Sequence, residues 1–205
     1  MTDNTIKDFR YQNLVQMLKG YGVWDSNKTL RALVETLYEE TDFFTAPAST
    51  KWHAAYTGGL CDHCVGVVQT LVDLTQKGVC ATWQRSISPF VVGLLHDATK
   101  FGAYILKTEL DPEAGVEEVK FEWNTNHKAF SPIHGEDSLL KVQEQFWLTE
   151  EEKACIRWHM GAYEGRESWP GYDAAIRKFP NVLWTHTADM YASKVLEERN
   201  ADQTL

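Results

Sequence analysis

Apolar side chains recur every three or four positions along most of the chain, the spacing typical of amphipathic helices. This pattern covers residues 6–22, 27–41 and 60–77, and the third segment begins at a double glycine and stops at Gly78. Residues 86–100, SISPFVVGLLHDATK, are almost all apolar up to a His-Asp pair, which predicts a buried helix. Helical patterns return over 135–146, 149–160 and 181–199, and Thr149 with Glu152 predicts a capping box.

The periodicity changes in the middle of the chain. The runs AYILKTEL and VEEVKFEWN flank the turn-forming segment DPEAG, and the second run alternates apolar with polar residues. This predicts a β-hairpin over about residues 105–124. We therefore predict an all-α fold, a helical bundle with one inserted β-hairpin. Residues 1–205 are predicted to form a single domain, with N-terminal helices over 1–50, a core over about 52–195 and a short C-terminal tail.

Composition and charge narrow the classes of partner. Hydrophobic residues make up 43% of the chain and charged residues 24%, as in an ordinary soluble globular protein. The formal charge of −9 argues against a long nucleic acid as partner, because that binding needs a basic surface. A short nucleotide bound through metal ions stays compatible with this charge. With neither a signal peptide nor a membrane-spanning run, we expect a cytoplasmic protein without membrane contact.

The four cysteines raise the question of a structural zinc site. Cys61 and Cys64 are spaced like half of a zinc ribbon, but Cys80 and Cys155 stand alone and provide no second pair. Both Cys61 and Cys64 also fall within the apolar pattern of a helix, where a reduced cysteine is an ordinary small hydrophobic residue. We therefore expect four free thiols.

Other metal-competent residues lie far apart in the sequence. His63 is in the third helical segment, the dyad His96-Asp97 ends the buried segment, and Asp189 lies in the last helical segment. Burying such polar groups at the end of an apolar helix is costly unless they find a partner. Side chains from separate helices can converge in the core of a bundle, as they do in bundle metal sites.

Five motifs follow one another along the chain: GGLCDHCVGVV, GLLHDATK, IHGEDSLL, IRWHMG and THTADMYASK. Their order resembles that of the HD-domain metal-dependent phosphohydrolases, and the resemblance extends from about residue 52 to 194. The chain most resembles the compact stand-alone HD proteins of bacteria and their phages, which share the hairpin after the dyad. The resemblance implies an HD-domain helical bundle.

The resemblance also implies one or two divalent transition-metal ions, and imidazole-rich ligation suits Mn, Fe, Co, Ni or Zn. Lys100 matches the lysine of the family motif HDxxK, and that lysine resembles a phosphate-binding cation. The resemblance also implies that Asp97 would bridge the two ions. The first ion would be bound by His63, His96, Asp97 and Asp189, and the second by Asp97, His134 and His159.

Each of these residues also has a simpler interpretation. His96 can be stabilised by the dipole at a helix C-terminus, with Asp97 as a cap. His134 can be an N-terminal residue of a helix that places Glu136 and Asp137 at the positive end of its dipole. His159 can cap a helix end, and Lys100 can be a solvated lysine at a helix end. The sequence by itself leaves both interpretations open.

Residues near the double glycine are candidates for substrate contact. His53 lies where a histidine often precedes the double glycine in this family, and we assign it a catalytic role together with Asp97 and Lys100. Trp52 and Tyr56 are assigned to substrate binding along with His53 and Lys100, since aromatic rings can stack on a nucleobase.

The resemblance implies hydrolysis of a nucleotide phosphate ester or anhydride, in a nucleoside mono- or triphosphate, by metal-activated water. The six-ligand set favours a phosphodiesterase acting on short oligonucleotides or cyclic nucleotides as the alternative. A non-catalytic nucleotide sensor is a third class, but such a protein would be expected to lack ligands, and none of the six is missing. No motif identifies the base, the sugar or the oligomeric state.

Overall fold

The structure, a computed structural model, describes residues 3–52, 54–110 and 117–196. These residues are mostly helical and contain one two-stranded antiparallel sheet, which confirms the predicted combination of helices and a hairpin. The helices are α1 (Asp3–Gly20), α2 (Lys28–Glu40), α3 (Gly59–Gln76), α4 (Ser88–Leu95), α5 (His134–Gln143), α6 (Glu150–Arg157), α7 (Trp169–Lys178) and α8 (Asn181–Tyr191).

The hairpin consists of β1 (Tyr104–Leu110) and β2 (Glu117–Trp123). Its register pairs Tyr104 with Trp123 and Leu106 with Phe121. The predicted turn DPEAG lies outside the described residues. The hairpin starts just after a 3-10 turn, Ala98–Lys100, which follows α4.

The main hydrophobic core lies among α1, α2, α3 and α4. Every residue of α4 is buried, as its apolar sequence predicts. A smaller apolar cluster joins α3 and α4 to α6 and α8. Helix α3 belongs to both clusters, and its contacts with α4 and α8 bring the motif-bearing segments together.

The ends of two helical segments are defined by specific structures. The capping box at α6 is formed, since Thr149 and Glu152 each accept a hydrogen bond from the backbone N–H of the other. Helix α8 continues as a π-helical turn, Ala192–Leu196, and the last residues of the predicted helix over 181–199 lie outside the described part.

Helix α7 is not predicted by the apolar pattern. It begins with Trp169, Pro170 and Gly171, which resemble a turn in sequence, and none of its residues is fully buried. It packs on the smaller cluster through partly buried side chains such as Tyr172 and Ile176. Within the described residues, none of the helices combines the length and apolar character that a bilayer crossing requires.

Candidate metal centre

Six side chains that the sequence singles out converge in the interior. They come from five parts of the fold: His63 is on α3, the dyad follows α4, and the others belong to α5, the turn after α6, and α8. They form two groups, each with one potential ligand atom per residue within 4.8 Å of the others. The first group is His63, His96 and Asp189, and the second is Asp97, His134 and His159.

The first group brings two imidazoles into contact at a tilted angle, with ring centroids 5.3 Å apart and 53° between the ring planes. The Nε2 atoms of His63 and His96 are 3.2 Å apart. Oδ1 of Asp189 lies 3.2 Å from Nε2 of His63 and 3.9 Å from Nε2 of His96. Both histidines are buried, whereas the Asp189 side chain keeps 16% of its surface exposed.

Asp97 connects the two groups, because its two oxygens face different histidines. Oδ1 is 2.7 Å from Nε2 of His134 and 3.6 Å from Nε2 of His159. Oδ2 is 3.5 Å from Nε2 of His63 and 3.6 Å from Nε2 of His96. This arrangement allows one carboxylate to serve both groups.

Backbone carbonyls determine which nitrogens can bind a cation. Nδ1 of His96 lies 3.0 Å from the Gly93 carbonyl oxygen, and Nδ1 of His159 lies 2.7 Å from that of Ile156. A carbonyl can only accept, so each Nδ1 is assigned the proton, and in the neutral ring Nε2 then carries a lone pair. Nε2 of His96 lies 3.2 Å from Nε2 of His63 and 3.6 Å from Oδ2 of Asp97, and Nε2 of His159 lies 3.6 Å from Oδ1 of Asp97. Nε2 of His159 is buried with no hydrogen-bond partner among the described residues.

The buried nitrogens and carboxylates of the cluster favour a bound cation, either a proton or a metal ion. Burial lowers the pKa of His96 to about 3, which keeps its imidazole neutral. Burial also opposes protonation of His159, but the nearby Asp97 outweighs it and raises the pKa of that imidazole. A proton or a metal ion on Nε2 would therefore satisfy the same lone pair. Buried lone pairs facing carboxylates are the environment that a metal ion stabilises.

Lys100 is a buried partner of the dyad. Its Nζ donates to Oδ2 of Asp97 at 2.6 Å, and the side chain is 10% exposed. Burial alone would lower the pKa of Lys100, but the Asp97 carboxylate raises it. Burial would likewise raise the pKa of Asp97, and Lys100 contributes to holding it well below its usual value. Lys100 is thus not a solvated lysine at a helix end.

A hydrogen-bond network fixes α5 and so places His134 against the dyad. The Thr99 hydroxyl donates to Oδ2 of the buried Asp137, and the Thr99 backbone N–H donates to the Ser138 hydroxyl at 3.1 Å. The N–H of Ser131 donates to Oδ1 of Asp137 at 3.1 Å. The motifs were not taken to predict these hydrogen bonds. Thr99 lies within HDATK, and Asp137 and Ser138 lie within HGEDS, so polar side chains next to the potential ligands were the available signal.

A second set of contacts fixes the turn that carries His159. Nδ1 of His186 donates to the carbonyl oxygen of His159 at 2.7 Å. Gly161 has φ +53°, and a Cβ there would lie 2.7 Å from the His186 ring. Only glycine therefore fits this turn without strain.

Two of the substrate-binding candidates, Trp52 and Tyr56, lie in the loop before α3. Trp52 is 83% exposed, and His53 lies outside the described residues. The Tyr56 hydroxyl donates to Oδ2 of Asp62 at 3.1 Å, which ties the loop to the residue before His63. Gly59 is required here as well, because a Cβ would lie 1.9 Å from the Ala54 carbonyl oxygen.

The described structure places no cysteine in either group of potential ligands. Cys61, Cys64 and Cys155 are buried and Cys80 is partly buried, and all four are free thiols. Burial raises the pKa of Cys64 well above its ordinary value, so the thiol stays protonated. A protonated thiol is a poor metal ligand.

Comparison of the chain with protein-family models, with curated proteins and with solved structures finds no match. The assignment of function therefore depends on the chemistry of the cluster itself and on the motifs that carry it.

Proposed function

We propose that this protein is a metal-dependent phosphohydrolase of the HD-domain type, acting on a phosphate ester or anhydride of a nucleoside mono- or triphosphate. One observation carries the proposal. The buried Nε2 atoms of His96 and His159 each lie 3.6 Å from an oxygen of Asp97, and Nε2 of His159 has no hydrogen-bond partner among the described residues. This donor set fits a divalent transition metal.

The residues present would hold the metal in two adjoining positions. His63, His96 and Asp189 would bind at one position, and His134 and His159 at the other, with Asp97 offering an oxygen to each. When bound, a divalent ion would lower the pKa of a coordinated water and polarise phosphoryl oxygens.

The protein's own groups have separate tasks in this proposal. Asp97 stays ionised beside Lys100, so its carboxylate is always available as a ligand. Lys100 contributes a fixed positive charge that stabilises an anionic phosphoryl group at the dyad. His134 is 33% exposed and is the most open of the cluster's histidines, so water and substrate would enter on its side.

A phosphodiester substrate is the second candidate. The observation that favours it is the second group, because Asp97, His134 and His159 adjoin the first group instead of lying in a separate part of the fold. Two adjacent ions can clamp both the attacking and the leaving oxygen of an in-line displacement. Short oligonucleotides and cyclic nucleotides are the substrates that such a clamp would suit.

Metal analysis combined with a substrate panel tests the proposal. The protein purified without chelator is analysed for metals and assayed for phosphate release from nucleoside mono-, di- and triphosphates, and for cleavage of cyclic nucleotides and dinucleotides. We expect bound transition metal, turnover of at least one nucleotide, and loss of turnover on chelation that metal restores. A metal-loaded protein that cleaves none of these substrates would overturn the proposal.

A further inference from the structure

A cavity of about 990 Å³ lies between the loop before α3 and the hairpin. Thr50, Lys51, Tyr56 and Thr57 are among the residues that line one side, and β1 and β2 line the other. Neither wall contributes a ligand to the metal centre, and the proposed hydrolytic chemistry does not account for the cavity.

The hairpin lines this cavity with the apolar residues Leu106, Phe121 and Trp123 and with the charged residues Lys120 and Glu122. Residues directly opposite in an antiparallel register share a face, as do residues two apart on a strand. Tyr104, Trp123, Leu106 and Phe121 therefore lie on the same face. Leu106 and Trp123 are each about half exposed, although they line a concavity. The fold thus leaves an aromatic and apolar wall uncovered.

Both walls begin beside the metal centre. On the hairpin side, the Tyr104 ring packs edge-on against Trp123 with centroids 5.6 Å apart. Tyr104 begins β1, which follows the turn Ala98–Lys100 after the dyad. On the loop side, the Tyr56 hydroxyl donates to the Asp62 carboxylate, and Asp62 precedes His63 in α3. Each wall is therefore joined to a part of the chain that carries a potential metal ligand.

The composition of the lining indicates the class of ligand. Trp123 and Tyr56 offer half-exposed rings on opposite walls, which suits a flat aromatic group. The lining also includes Lys51, Lys120 and Glu122, and Glu122 is paired with Lys107 at 3.0 Å. The two aromatic rings are therefore the feature of the lining that indicates the class of ligand.

We propose that this cavity binds the nucleobase of a nucleotide whose phosphate lies at the metal centre, with Trp123 as the main stacking surface. This inference rests on the proposed function. It adds a recognition site for the base, on the hairpin and the loop, to a centre that by itself recognises only phosphate.

The test compares a nucleotide with its base-less analogue. A nucleoside 5′-monophosphate and ribose 5-phosphate carry the same phosphate monoester, and kcat/KM is measured for both with the native protein and with Trp123→Leu. We expect Trp123→Leu to lower kcat/KM for the nucleotide at least about fivefold, the order of effect of losing one base-stacking contact. For ribose 5-phosphate, which has no base to stack, kcat/KM of Trp123→Leu should stay within about twofold of the native value.

Two further variants make the test specific. Trp147→Leu removes an exposed tryptophan that lines a different groove, beside α2, and should change neither value. Leu106→Trp fills the cavity with a protein ring and should lower kcat/KM for the nucleotide alone, even if Trp123→Leu misfolds. Equal losses on both substrates, or no loss on the nucleotide in either cavity variant, would overturn the inference.

Failure of the proposed function is distinguishable from failure of this inference. If the metal-loaded native protein hydrolyses neither substrate, calorimetric binding of the nucleotide replaces turnover. Binding that Trp123→Leu weakens and Trp147→Leu does not would support the cavity as a base site without hydrolysis. Absence of nucleotide binding would overturn it.

Discussion

His134 and His159 distinguish a one-metal site from a two-metal site. Both face Oδ1 of Asp97, whereas His63 and His96 face Oδ2. We expect the native protein to carry two ions per chain, and His134→Ala or His159→Ala to lose one of them while keeping the other. Turnover should fall by more than about tenfold, since the clamp on one side of the phosphoryl group is lost.

Metal stoichiometry decides this prediction, because altered orientation of the remaining ligands could also reduce turnover. Elemental analysis of the native protein and both variants is the measurement, and His127→Ala provides a histidine control outside the two groups. One ion per chain in all four proteins would contradict the two-metal arrangement and favour a mononuclear nucleotidase.

The ion pair between Asp97 and Lys100 should contribute to stability as well as to the proposed hydrolysis. Asp97→Ala should abolish hydrolysis and leave a buried ammonium without its carboxylate. Breaking a buried pair from one side costs about 3 kcal/mol, so we expect the free energy of unfolding to fall by that order. Urea denaturation of the metal-free proteins measures it.

The double variant Asp97→Ala with Lys100→Met separates this effect from general damage to the core. Removing both charges should recover much of the lost stability without recovering activity. Lys153→Met, which breaks an exposed pair with Glu150, should change stability little. Equal stability of the single and double Asp97 variants would contradict the assignment of Lys100 as a buried partner.

At the scale of single residues, the sequence predicts which side chains matter better than how they are oriented. The motifs named all six residues of the two groups. They did not show that Gly93 and Ile156 carbonyls set the tautomers of His96 and His159, because a carbonyl's position depends on the path of the backbone. Nor did they show that Lys100 turns inward.

At the scale of elements, helix α5 depends on Thr99 for its position. Thr99→Val keeps the shape of the side chain but removes the hydroxyl that donates to the buried Asp137. We expect a loss of about 1–3 kcal/mol in stability, the cost of an unsatisfied buried group. Because α5 carries His134, affinity for the second ion should also fall by about tenfold or more.

Thr99→Ser is the matched control, since it retains the hydroxyl and should keep both metal affinity and most of the stability. Metal titration and thermal unfolding of the two variants are compared side by side. If valine and serine variants bind the second ion equally well, the network around Asp137 does not position His134.

The predictability of the elements follows from how each is stabilised. Helices α2 and α3 bury regular apolar faces, and their periodicity predicted them, whereas α4 was predicted from its almost continuous apolar run. The hairpin was predicted from its change of period. Helix α7 was missed because it buries no complete face and because Pro170 and Gly171 near its start resemble a turn. Its helical conformation is instead stabilised by packing on the smaller cluster. Single-domain organisation and the HD fold remain predictions.

At the scale of the whole molecule, folding and metal binding should be separable. The main core buries a large set of apolar side chains from the first four helices, which pack together without a metal ion. We therefore expect chelation to abolish hydrolysis and lower the melting temperature while the far-ultraviolet circular dichroism spectrum stays helical. This differs from small zinc domains, which unfold without metal. Loss of helical signal on chelation would contradict the separation.

The two oxygens of Asp97 have a consequence for how the two positions would fill. An ion bound at one oxygen would compete with Lys100 for the carboxylate and would restrict its orientation for the other group. Occupancy of the two positions would then be linked, and the linkage would be reciprocal: each ion would change the affinity for the other by the same factor. The two halves of the centre would share a single coupling free energy.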